Sequence, residues 1–260
     1  MSGSHSVTLH MCYYVASKLS GAEIYGLEHD FVVKWEEEEM TPYYVAAGFA
    51  HPRLPVITSE KRFRLLSWGL IPGWQKDWES ASKFRMQTLN AVSETIHTKP
   101  SFRAAVKASR NCIVPVNGFF EWHHGEKEKY PHFIFPRNEA LFYLAGLYES
   151  WTDQRSGKVH ETFSIITTPA NKRMEWIHNT KKRMPAILSK ESAKVWLDKE
   201  VPFDLKRALL RPFDEEPMAD HTIGRLITSR KQNPNRPETL EPYEYPELSA
   251  DGAQQPGLFS

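Results

Sequence analysis

What most constrains this chain is how often its apolar runs are cut short. Between residues 112 and 167 it presents Cys112–Val116, His132–Pro136, Leu141–Glu149 and Thr162–Thr167, rich in β-branched and aromatic residues and separated by Gly, Pro, Asn and charged side chains. Runs of that length and composition read as strands. Arg53–Thr58 and Phe63–Trp68 read as a strand pair around the polar Ser59-Glu60-Lys61, and Tyr13–Ser17 as a further strand. Helical signals are fewer: Ala22–Asp30, Lys99–Ala108, Asn171–His178, and a segment opened by Ser189 as N-cap with Glu191 in its first turn. Many short strands with a few helices between them predict an α+β fold, with a mainly antiparallel, barrel-like sheet core and flanking helices. No internal repeat is found. One domain is expected over residues 11–247, with residues 1–10 a leader or misassigned start. Residues 248–260, mostly Gly, Ala, Gln, Ser and Pro, form a flexible tail.

Composition removes several classes of function. Two cysteines cannot build a disulfide framework or an all-cysteine zinc site. No apolar run reaches membrane-spanning length, so no membrane partner is expected. The polar start lacks the pattern of a signal peptide, and with unpaired cysteines this points to the cytoplasm. The net charge of +1 conceals an uneven distribution: residues 237–260 hold five acids and no Lys or Arg, so residues 1–236 carry +6. That is a modest electrostatic footprint for nucleic acid.

Phosphate-loop, HExxH and CxxC patterns are absent, and His123-His124 lack ligand spacing, so neither cofactor nor metal is called for. Glu121 stands in the aromatic run Phe119-Phe120-Glu121-Trp122. Turned inward it would be desolvated and raised toward acid/base use; turned outward it would be an ordinary strand glutamate. Asn117-Gly118 before it reads as a tight turn. His178 is either structural or a proton shuttle beside Lys181-Lys182-Arg183. Trp68, Trp74, Trp78 and Trp122 are core residues or base-stacking elements, Trp74 and Trp78 lying in a polar loop marked by Pro72-Gly73. Basic residues at Lys172-Arg173, Lys181–Arg183 and Arg225–Arg236 read as a phosphate-tracking surface or as solvated faces.

Taken in order, the blocks form a pattern. They are Met11-Cys12, Trp68-Gly69-Leu70-Ile71-Pro72-Gly73-Trp74, Asn90-Ala91-Val92-Ser93-Glu94-Thr95, Lys99-Pro100-Ser101-Phe102 and Arg110 through Trp122. Thr167-Thr168-Pro169-Ala170-Asn171, Ile177-His178 and Arg183-Met184-Pro185 follow. From residue 11 to about 247 the chain resembles the SRAP (SOS response-associated peptidase) family, whose members shield abasic sites in single-stranded DNA by covalent crosslinking. The resemblance implies Cys12 as the nucleophile: with a free α-amine it would form an imine with the abasic aldehyde, and its thiol would close a thiazolidine. An α-amine titrating near ~7.7–8.0 keeps a useful neutral fraction at physiological pH. Cys112 reads instead as a small buried hydrophobe. By the same resemblance Asn90 orients the amine and sugar, Glu121 is the acid/base, and His178 is the imidazole beside phosphate and aldehyde. Thr167 contacts DNA, and Trp68 and Trp74 form a wedge beside the lesion.

The chain departs from that pattern in places. Cys12 is followed by Tyr13-Tyr14 rather than Gly-Arg, and Val92 replaces an arginine, which leaves Lys181, Lys182 and Arg183 to take over phosphate contact. The chemistry also requires that residues preceding Cys12 be absent, through translation from Met11 or removal of residues 1–11. In the tail, Gln255, Leu258 and Phe259 resemble the Gln-x-x-Leu-Phe peptide that docks on the bacterial sliding clamp. Two rivals stand beside this reading: a cysteine peptidase using Cys12 with His178 and Glu121, and a non-enzymatic single-strand binder.

Overall fold

The computed structural model describes residues 12–36 and 39–250 of the chain. Its strands are β1 (Tyr14–Ser17), β2 (Tyr43–Ala47), β3 (Arg53–Thr58), β4 (Phe63–Trp68), β5 (Asn90–Val92), β6 (Asn111–Val116), β7 (Gly118–His124), β8 (Lys129–Pro136), β9 (Phe142–Thr152), β10 (Val159–Pro169), β11 (Arg183–Pro185), β12 (Ile187–Leu188) and β13 (Met218–Thr222). Two sheets result. The smaller runs β13-β8-β7-β1-β2; the larger runs β11-β10-β4-β3-β6-β9-β12, with β5 beside β10. All pairings between named strands are antiparallel except β10 with β4 and with β5. This is the expected α+β fold with a largely antiparallel core.

Local chemistry accounts for the elements. The β3–β4 hairpin closes on Ile57 opposite Phe63, with Lys61 in the left-handed region at φ 56°. The helix Gly21–Phe31 starts with a capping box in which Ser20 and Glu23 satisfy each other's backbone N–H groups. The helix Lys172–Ile177 is capped by Asn171, whose Oδ1 accepts from the Met174 N–H at 2.8 Å. Ser189 caps Lys190–Leu197 as its sequence predicts. Lys99–Ala108, expected to be wholly helical, is a turn followed by a helix only over Arg103–Lys107.

One apolar core is shared by both sheets in a barrel-like arrangement. Val15, Phe119 and Ile134 come from the smaller sheet, Leu54, Val114, Leu144 and Phe163 from the larger, and Met174 and Ile177 from the helix between. Each such side chain contributes about 1.5–3 kcal/mol by leaving water. Asn117-Gly118 is not a hairpin turn. The chain leaves the larger sheet at the end of β6 and enters the smaller one at β7, and Asn117 pins the crossing. Its N–H donates to the Ala16 carbonyl and its Oδ1 accepts from the Lys18 N–H, both at 2.8 Å. A Cβ on Gly118 would lie 2.4 Å from the Ile134 carbonyl oxygen, so only glycine lets β7 approach β8 there.

The topology places the site. Strand β1 lies inside the smaller sheet, between β7 and the edge strand β2, and Cys12 lies two residues before its start. Asn90 opens β5, opposite Ile165 of β10. Cys12 and Asn90, 78 positions apart in sequence, therefore meet at one rim of the shared core.

Candidate functional site

Cys12 is 1% exposed at the edge of that core. The Asn90 side chain reaches across from the larger sheet, its Nδ2 donating to the Cys12 carbonyl at 3.0 Å. The Asn90 Oδ1 is buried without a hydrogen-bond partner. Burial, and then the nearby Glu121 charge, push the Cys12 thiol well above its ordinary range, while a contact to the Tyr14 carbonyl opposes them weakly. At neutral pH the thiol is therefore protonated.

Glu121 faces inward. The alternation of β7 puts it on the face of Phe119, which lies in the core, and it is 5% exposed. Burial raises its carboxyl to about 8, against a smaller opposing effect of the Trp122 N–H. Its Oε1 lies 3.8 Å from Nδ1 of His178. His178 terminates the helix Lys172–Ile177, its N–H donating to the Met174 carbonyl at 2.7 Å. Its Nδ1 stands 3.0 Å from the Arg183 carbonyl, an acceptor, so Nδ1 carries the proton. A buried acid, an imidazole, a carboxamide and a thiol thus gather at one rim, the set expected from the sequence.

Several expectations for the DNA-facing residues need correction. Trp68 is not a wedge: it is fully buried, donates from Nε1 to the Leu89 carbonyl at 2.8 Å, and stacks on Phe163. Trp74 is 51% exposed, edge-on to Phe84, and remains available at the surface. Trp78 stacks on His160. Thr167 is 1% exposed beneath Arg183, which donates from Nη2 to the Thr167 carbonyl at 2.7 Å, so its side chain offers no open surface. Lys181 and Lys182 are exposed. Arg183 is already engaged: Nη2 donates to Glu94 Oε2 at 2.9 Å, and Nη1 pairs with Oε1. That guanidinium holds the Glu94 carboxyl down to about 2. Arg173 belongs to no phosphate-tracking surface, being 9% exposed and bound through two nitrogens to Asp220. Arg225 pairs with Glu128 and lies over the Tyr245 ring. Residues 1–11 and the clamp-like Gln255, Leu258 and Phe259 lie outside the described residues.

Glu94, His132 and Asp220 were not singled out from sequence as site residues. Glu94 stands in a quoted block, and only its pairing with Arg183, 89 positions away, reveals a role. Cys112 is the buried bystander expected: a Cβ on Gly146 would meet its sulfur at 2.8 Å. Among the described residues no group of three or more His, Cys, Asp or Glu side chains is placed to hold a metal ion, and no helix is long and apolar enough to cross a membrane.

Fold and site together define a class: a two-sheet α+β domain with a cysteine held beside a buried acid, an imidazole and an asparagine. The chain belongs to the SOS response associated peptidase (SRAP) family, whose model matches residues 11–230. Abasic site processing protein YoqW of Bacillus subtilis is 40% identical over 185 residues, covering 70% of this chain and 78% of that protein. Abasic site processing protein HMCES of Gallus gallus is 31% identical over 214 residues, covering 75% of this chain and 61% of that one. A crystal structure of a Bacteroides thetaiotaomicron protein superposes with a TM-score of 0.82 at 35% identity, covering 90% of this chain and all of that chain.

Proposed function

We propose that this protein processes abasic sites in single-stranded DNA by forming a covalent adduct through Cys12. The relatives named as abasic site processing proteins support the substrate class. The observation that carries the chemistry is the Cys12 backbone held by Asn90 beside the carboxyl of Glu121. With a free α-amine, Cys12 attacks the ring-opened aldehyde; water leaves as the imine forms, and Sγ then adds to the imine carbon while the thiol proton passes to the imine nitrogen, closing a thiazolidine. Glu121, largely protonated at pH 7, protonates the ring oxygen as the sugar opens and takes up the proton of the anomeric hydroxyl; it then protonates the carbinolamine hydroxyl that leaves as water. His178 assists at the same carboxyl, and Asn90 Oδ1 is an acceptor for the amine. A thiol that is protonated at rest fits an order in which the amine reacts first.

The same thiol argues against the cysteine-peptidase reading. Acyl transfer needs a thiolate stabilised by a neighbouring cation, whereas Cys12 is buried and raised by a neighbouring acid. The reading requires that nothing precede Cys12 in the active protein. DNA is engaged through Trp74, Lys181 and Lys182, and through Arg183 once a phosphate displaces Glu94. A tail contact of Gln255, Leu258 and Phe259 with the sliding clamp would bring this activity to replicating DNA in the cytoplasm during the damage response. Clamp capture that survives Leu258→Ala with Phe259→Ala would remove that contact. The function itself is tested with an abasic single-stranded oligonucleotide. A denaturation-stable adduct that Cys12→Ala abolishes is expected; an adduct surviving that substitution would defeat the reading.

A further inference from the structure

Strands β7, β8 and β13 lie side by side. Their registers set Phe119 opposite Ile134, Glu121 opposite His132, and Ile134 opposite Asp220. Directly opposed residues project from the same face, and residues two apart along a strand share it. Glu121, His132 and Asp220 therefore stand on the inner face with Phe119 and Ile134, the face against which Met174 and Ile177 pack. All three side chains are buried, at 6%, 3% and 7% exposure.

The far end of this row is anchored. Asp220 accepts from Nε and Nη2 of Arg173 at 2.7 and 2.8 Å, and its Oδ2 stands 3.1 Å from Nδ1 of His132. Despite burial, the His132 and Arg173 contacts keep the Asp220 carboxyl down at about 2. An ionised carboxylate there fixes the proton of His132 on Nδ1. Desolvation lowers the His132 pKa; Arg173 and His123 lower it further, and Asp220 opposes them. The Trp176 ring stands edge-on at 5.5 Å. A neutral imidazole with Nδ1–H presents Nε2 as a bare acceptor. The N–H direction at Nδ1 and the lone pair at Nε2 point to opposite sides of the ring, and β7, where Glu121 is the cross-strand neighbour of His132, lies on the side of β8 opposite β13.

Both His132 Nε2 and Glu121 Oε1 are buried without a hydrogen-bond partner. A buried polar atom left without a partner is unfavourable, so each of these two calls for one. His178 stands 3.8 Å from that oxygen, beyond hydrogen-bonding distance, and gives its Nδ1 proton to the Arg183 carbonyl. A carboxylic acid and a bare imidazole nitrogen are complementary across one strand pair.

We propose that His132, fixed by Asp220 and Arg173, is a positioning residue for Glu121. Its Nε2 accepts the carboxyl proton of Glu121 through one bridging water and holds the acid turned toward Cys12. The proposal rests on the reading of Glu121 as the acid/base group.

Two substitutions separate the ring nitrogens. His132→Gln keeps a polar group near the Nε2 position, and His132→Asn keeps one near Nδ1. The readouts are the Glu121 titration followed by carbon NMR and the pH dependence of adduct formation on an abasic single-stranded oligonucleotide. Removing an acceptor from the neutral acid lowers its pKa, so His132→Asn is expected to move the Glu121 midpoint down by about one unit. It should also slow adduct formation at pH 7 roughly tenfold. His132→Gln is expected to stay within about twofold of the parent in rate. Equal effects of the two substitutions, or an unmoved Glu121 midpoint in both, would overturn the proposal. Nitrogen NMR of the unsubstituted protein needs no variant to fold: His132 protonated on Nδ1 alone between about pH 6 and 8 supports it, and a proton on Nε2 overturns it. If the NMR behaves as expected while the unsubstituted protein forms no adduct at any pH, the positioning stands and the proposed function fails.

Discussion

Oε1 of Glu121 and Nδ1 of His178 are 3.8 Å apart at the rim of a core shared by two sheets, with both side chains more than nine-tenths buried. One comes from the inner face of β7 and the other from the end of the helix Lys172–Ile177, so the site exists only when that helix is docked on the smaller sheet. The acid at this junction governs both pH dependence and stability.

Glu121 titrates at about 8 in the fold against an ordinary 4.5. Between those values the folded protein holds a proton that the unfolded chain has released, so stability falls as pH rises through this window. Glu121→Gln should therefore stabilise the protein, by on the order of 1–3 kcal/mol near pH 8 and less near pH 5. The same substitution should slow adduct formation by about a hundredfold. Thermal melts across pH and single-turnover gels check the two halves.

Asn90→Ala removes the donor to the Cys12 carbonyl and the acceptor proposed for the amine. Adduct formation should slow roughly tenfold to a hundredfold, with little change in affinity for an unmodified strand. Single-turnover rates beside fluorescence anisotropy separate these effects.

The Arg183–Glu94 pair blocks a cation from phosphate. Glu94→Gln should tighten binding to single-stranded DNA and steepen the slope of log affinity against log salt by about 0.7, one phosphate contact. Glu94 is depressed to about 2, so whatever the pair adds to stability is present above pH 4.5 and fades as pH falls toward 2. Salt titrations of binding test the first expectation.

The two tryptophans of the Pro-Gly segment should part company. Trp68→Ala is expected to destabilise the fold by about 3–5 kcal/mol, because it empties a fully buried site. Trp74→Ala should leave the melting temperature nearly unchanged and weaken single-strand binding by about 1–3 kcal/mol. Melts and anisotropy on both variants decide the assignment.

Much of this architecture was legible because its signals are local. The strand pair Arg53–Thr58 and Phe63–Trp68, the helix about Asn171–His178 and the Ser189 cap follow from short patterns, whereas the direction of Glu121 is decided only when Phe119, on the same face of β7, enters the core. What escaped is set by long-range contact. Trp68 reads from the residues as core or base-stacking and, by the family resemblance, as part of a wedge; β4 decides for the core by carrying it under Leu89, whose carbonyl satisfies its indole N–H. Asn117-Gly118 has hairpin chemistry but serves a crossing between sheets, because Ala16 and Lys18 supply its partners. Arg173 read as a surface cation because its partner Asp220 lies 47 positions away.

The most direct test of the central claim is the intact mass of the active protein before and after reaction with an abasic oligonucleotide. The account predicts a chain that begins at Cys12, and an adduct equal to protein plus oligonucleotide minus one water, mapped to that residue. An active protein in which Cys12 still carries a preceding residue, or an adduct mapped to a lysine, would contradict it.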